Sequence, residues 1–78
     1  MLDKTTRNIL ASLLSLAIEH IDKYAPFTEG DITVTGDNRG EPYMKGVSIE
    51  MRAYGEYEAF VSLDNARRML ERLEGRQG

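Results

Sequence analysis

"KGVSIEMRAYGEYEAFVSL", residues 45–63, decides the fold. Over Lys45 to Tyr54 the side chains alternate, with Val47, Ile49, Met51 and Ala53 facing one way and Ser48, Glu50, Arg52 and Tyr54 the other, the pattern of a half-buried strand. A second alternating run, Tyr57 to Leu63, follows almost at once. Because residues directly opposite in an antiparallel pair share a face, the parity of the link can be tested. A two-residue Gly55-Glu56 turn would set Met51 against Phe60 and scatter the apolar residues over both faces. A three-residue loop, Tyr54 to Glu56, pairs Val47 with Leu63, Ile49 with Val61, Met51 with Ala59 and Ala53 with Tyr57. The odd loop is therefore expected, with a bulge. It sends Phe60 outward opposite Glu50 and sets Arg52 across from Glu58.

Working outward toward the N-terminus, "GDNRGEPYMKG" (36–46) has no hydrophobic period and reads as a loop, while Asp31 to Thr35 alternates as another strand. "APFTEG" (25–30) reads as a linker. Before it, Asp3 can cap a helix over Lys4 to Tyr24 that stops because Pro26 disfavours helix at Ala25. At about 100° per residue, Leu10, Leu13, Leu14, Ala17, Ile21 and Tyr24 form one stripe flanked by Ile9, Leu16 and Ile18. That apolar arc is wider than one packed face needs, so either two elements cover the helix or part of it meets another chain. Toward the C-terminus, Ser62 or Asp64 caps a second helix that ends before Gly75 and buries Leu63, Ala66, Met69, Leu70 and Leu73. The expected fold is α+β in two layers: an N-terminal helix, a three-stranded antiparallel β-meander and a C-terminal helix (αβββα), forming a single domain over residues 1–78.

A chain of 78 residues buries only about 60–65% of the surface its unfolded form exposes, so its core is thin. Its 41% hydrophobic and 29% charged residues are nevertheless those of an ordered domain, not a disordered tail. With no cysteine there is no disulfide framework, thiolate metal site or thiol nucleophile. The run Ile9 to Ile21 is broken by Ser12, Ser15, Glu19 and His20, short of the roughly 20 apolar residues that span a bilayer. The start lacks the pattern of a signal peptide. A cytoplasmic protein without membrane contact is expected.

The net charge of −3 is unevenly spread. Residues 25–63 carry seven acids against three bases, whereas residues 64–78 carry four arginines against three acids. An acidic middle of this kind argues against nucleic acid as the partner.

Motifs for chemistry are missing. The 36–46 loop is no phosphate cradle, because Glu41 and not lysine follows Gly40 and a strand follows the loop. It is no EF-hand either, since counting from Asp37 the third position is Arg39 and the sixth Pro42. His20 is the single histidine and sits at the edge of the helix stripe, so it cannot build a common zinc site within one chain. No G-x-S-x-G elbow occurs, and the paired carboxylates Glu56 and Glu58 fall on an exposed hairpin, not in a pocket. No catalytic residue, metal or cofactor is expected.

Three surfaces could meet a partner. The first combines the 36–46 loop (Asp37, Arg39, Glu41, Tyr43) with the outer sheet face (Glu50, Tyr54, Glu56, Glu58, Phe60), an aromatic patch rimmed with acids and suited to a protein with a basic surface. The second is the ridge Arg68, Arg72 and Arg76, an alternative contact for nucleic acid, although Glu71 and Glu74 interleave with it. The third is the surplus apolar surface of the first helix, which could form a homodimer. In size, acidity, lack of cysteine and lack of a catalytic set, the chain resembles the small inhibitors encoded by phages and mobile elements, of which anti-CRISPR proteins are one group. The resemblance is one of general character and transfers no residue roles. It implies a non-enzymatic inhibitor that engages a basic surface of a nucleic-acid-binding complex.

Overall fold

A computed structural model describes residues 3–38, 44–52 and 57–75. Helix α1 (Lys4–Glu19) is followed by a single 3₁₀ turn (Ile21–Lys23), then by strands β1 (Pro26–Glu29), β2 (Ile32–Asn38), β3 (Lys45–Met51) and β4 (Tyr57–Ser62), and by helix α2 (Leu63–Leu73). The strands form one antiparallel sheet in the order β1-β2-β3-β4. The α+β class and both helices match expectation, but the sheet has four strands where three were expected.

The extra strand comes from the stretch that reads as a linker. Glu29 pairs with Ile32, so Gly30 and Asp31 alone make the turn. Gly30 has φ +62, a left-handed conformation that glycine adopts without steric cost. Phe27 then lies opposite Val34 on the inner face and packs against the core. Pro26 is tolerated because it opens an edge strand, where its missing N–H removes no essential ladder bond.

Strand β2 also runs further than Asp31 to Thr35, taking in Gly36, Asp37 and Asn38, which pair with Val47, Gly46 and Lys45. Much of the 36–46 stretch is thus sheet. A Cβ on Gly36 would stand 3.2 Å from the Ile21 carbonyl oxygen and 3.3 Å from Ile21 Cδ1, so this glycine admits the 3₁₀ turn onto the sheet. That packing accounts for the end of α1 at Glu19, short of Tyr24. The chain tightens at Ile21 and leaves through Tyr24, whose φ of 52° is left-handed; its side chain, 43% exposed, leaves the stripe in which the helical period placed it. Lys45, on the helix side of β3, donates to the Asp22 carboxylate and ties the 3₁₀ turn to the sheet.

The register of β3 and β4 differs from expectation by two residues. Val47 faces Val61, Ile49 faces Ala59 and Met51 faces Tyr57, so the link covers residues 52–56. Its length remains odd, and the paired residues of both strands keep their expected faces. Phe60 accordingly lies across from Ser48, not Glu50, and Glu58 lies across from Glu50, not Arg52. Ala53, Tyr54 and Glu56 lie outside the described residues.

Both helices cover the inner face. The core comprises Leu10, Leu13, Leu14 and Ala17 of α1, Ile32 and Val34 of β2, Val47, Ile49 and Met51 of β3, and Ala66 of α2. Helix α1 lies against the sheet and also against α2, which accounts for its wide apolar arc. Leu16 stays 39% exposed. Asp3 Oδ1 accepts from the Thr6 N–H at 2.7 Å and so caps α1. Ser62 Oγ accepts from the Asn65 N–H at 3.4 Å, which makes Ser62 the cap of α2. The start of α1 and the end of α2 lie side by side, with Lys4, Arg7 and Asn8 facing Leu73, Glu74 and Gly75 across a shallow cleft.

Candidate functional site: the outer sheet face

Because both helices cover one face, strand alternation assigns the other face to a second set of residues. The pairing arranges them in rows that run across the strands. One row is Thr28, Thr33, Glu50 and Glu58; the next is Pro26, Thr35, Ser48 and Phe60; a shorter one is Asp37, Gly46 and Ser62. Among the described residues of these rows there is no lysine or arginine. Arg52 follows just beyond the end of β3, beside a shallow polar hollow that it lines with Thr28, Gly30, Asp31 and Thr33.

Small hydroxyl side chains dominate the β1 and β2 half of the face. Thr28 and Thr33, directly opposite, share a hydrogen bond at 3.0 Å between their hydroxyls. Asp37 accepts from Ser48 Oγ at 3.4 Å and from the Asn38 N–H at 2.7 Å, so its carboxylate is anchored within the sheet. The β3 and β4 half is different. Glu50 and Glu58 are both exposed and directly opposite each other. Like charges so placed destabilise the pair, whereas one acid and one base would stabilise it.

Phe60 is on the outer face as the parity argument requires, but it is half-buried and not openly exposed. The reason is Gly46. These two residues are diagonal neighbours, and a Cβ on Gly46 would meet the Phe60 ring at 2.6 Å and the Val61 carbonyl oxygen closer still. The ring therefore lies down over bare glycine backbone, and Gly46 is buried beneath it. This device is written in "KGVS", where a glycine within an alternating strand marks a close approach. Reading Gly46 as the end of a loop misses it.

Of the expected partner-binding residues, Asp37, Glu50, Glu58 and Phe60 share this face. Arg39, Glu41, Tyr43, Tyr54 and Glu56 lie outside the described residues. On α2, Arg68 and Arg72 are exposed, and Arg68 donates to Asn65 Oδ1 at 3.2 Å; Arg76 lies outside the described residues. His20 follows α1 at the rim of the helix layer, its ring 5.9 Å from Phe27 and its Nε2 3.6 Å from Glu19 Oε1. Among the described residues no three His, Cys, Asp or Glu are grouped to hold a metal ion. No described helix is long and apolar enough to cross a membrane. Compared with protein-family models, curated proteins and solved structures, the chain matches none.

Proposed function

We propose that this domain is a non-enzymatic protein-binding module, an inhibitor of the kind encoded by phages and mobile elements, which engages a basic surface of a nucleic-acid-binding complex through its outer sheet face. The observation that carries the reading is the opposed pair Glu50 and Glu58. A lysine at either position would stabilise the sheet, so keeping both acids sacrifices stability locally, as binding surfaces do. Asp37 adds a third carboxylate to rows that hold no base among their described residues, Arg52 standing just beyond them at the end of β3, and a cationic surface would neutralise all three. Phe60 supplies the apolar centre.

Charge and folding can be separated with one substitution. Glu58→Lys reverses the charge and should raise stability by roughly 0.2–1 kcal/mol by facing Glu50 with a cation. Tagged wild type and Glu58→Lys are compared in affinity capture from host lysate, with Arg68→Glu/Arg72→Glu as the control for the helix ridge. Capture of one stoichiometric protein complex, lost with Glu58→Lys and kept with the arginine variant, supports the reading. A complex retained by a well-folded Glu58→Lys refutes it, and recovery of nucleic acid that depends on Arg68 and Arg72 moves the function to α2.

A further inference from the structure

The sheet has two edges, and they differ in how they discourage a new neighbour. Strand β1 has only four residues and opens with a proline. Strand β4 has six, Tyr57–Ser62, in unbroken register with β3. It contains no proline and no bulge, and of the usual means of blunting an edge it carries only the single charge of Glu58. Among the described residues no strand lies beyond it.

Charge decides which occupant fits this edge. A fifth antiparallel strand would lengthen the row Thr28, Thr33, Glu50, Glu58 by one residue beside Glu58, and the next row by one residue beside Phe60. A cation beside Glu58 would relieve the opposed carboxylates. A second copy of this chain cannot provide it. Keeping both faces continuous, an antiparallel β4 from another copy sets Glu58 against Glu58, Phe60 or Ser62, and β4 holds no base. We propose that β4 receives an extended basic segment of a protein partner as a fifth strand, with lysine or arginine at alternate positions on the outer face. Backbone pairing supplies the affinity, and the alternate cations supply the choice of partner. This rests on the outer-face reading and specifies how the partner binds.

The probe is a capped, fluorescent octapeptide of alternating lysine and valine, followed by anisotropy at low salt. In a strand, N–H groups of alternate residues point to opposite sides, so all its lysines offer their N–H groups to one neighbour and all its valines to the other. Two further peptides carry N-methyl groups on the valines only or on the lysines only. One of them should bind at least about tenfold more weakly than the parent while the other binds nearly as well. Glu58→Lys should weaken the parent peptide by a similar factor, with a urea unfolding curve at least as stable as that of wild type to exclude unfolding as the cause.

Equal affinity for both N-methylated peptides would mean charge attraction alone and would overturn strand addition. If that binding still falls with Glu58→Lys, the outer-face reading survives. Absence of binding by the parent peptide also overturns strand addition, and the capture experiment then judges the face separately. Sedimentation showing a dimer whose formation excludes the peptide would assign the edge to a second copy and overturn it as well.

Discussion

Replacing Gly46 by alanine should be among the most damaging single-methyl additions available to this chain. The new Cβ would stand 2.6 Å from the Phe60 ring and closer still to the Val61 carbonyl oxygen. The ring can swing away, but doing so uncovers apolar surface and the glycine backbone below. The carbonyl belongs to β4 and moves only with the strand. Overpacking of this sort costs typically 1–3 kcal/mol, and the backbone clash places Gly46→Ala toward the upper end. A domain of this length holds only about 4–12 kcal/mol in all. At about 4–8 °C per kcal/mol, a loss of about 3 kcal/mol lowers the melting temperature by roughly 12–24 °C. Urea unfolding followed by circular dichroism measures the loss directly. Gly36→Ala is the internal comparison: its Cβ would stand 3.2 Å from a backbone oxygen and 3.3 Å from a terminal methyl, and it should cost less. A further variant, Gly46→Ala with Phe60→Ala, removes the ring and leaves the carbonyl, so rescue should be incomplete. A Gly46→Ala protein within 0.5 kcal/mol of wild type, on the order of a neutral surface change, would refute this account of Phe60.

Leu14, fully buried in the core, should cost about 2–5 kcal/mol when cut to alanine, read from the same urea curves; a loss below 1 kcal/mol, on the order of Ile→Val, would contradict its central place. The Thr6 backbone N–H, followed by the Thr6 side chain, holds the Asp3 carboxyl below its ordinary 3.8. Its contribution is present above pH 3.8 and lost as pH falls through the lower folded value, so Asp3→Asn, which keeps a capping oxygen, should flatten that acid limb of the urea midpoint. The hydrogen bond to Asp22, then the charge of Asp22, raises Lys45 above 10.5. That contribution is present below pH 10.5 and lost as pH rises through the folded value, so Asp22→Asn should flatten the alkaline limb; an unchanged limb would mean the contact does not persist in solution.

Much of this fold is legible in alternation and capping. Val47, Ile49 and Met51 fix the inner face of β3, and the need to keep Val61 and Ala59 with them fixes the parity of the following link, hence the outward direction of Phe60. Parity leaves length open: loops of three and five residues satisfy it equally, which is why the register is off by two and the predicted neighbour of Glu58 is wrong. Strand β1 escapes because its four residues are too few to show a period and begin with proline. Gly36 and Gly46 escape for a different reason. In sequence they look no different from Gly40 between them, and only packing reveals that Ile21 lies over one and Phe60 over the other. The acidity of the candidate face is visible in composition, but the opposition of Glu50 and Glu58 depends on the register.

The shallow cleft between Lys4, Arg7 and Asn8 on one side and Leu73, Glu74 and Gly75 on the other brings the two extremities of the fold together at one corner. A short linker can therefore join them, which makes the domain suited to circular permutation or to insertion as a unit into a loop of a host protein. Anything fused at either extremity departs from the helical layer. Fluorophores, purification tags or a second domain attached there would leave the opposite side of the sheet open to solvent.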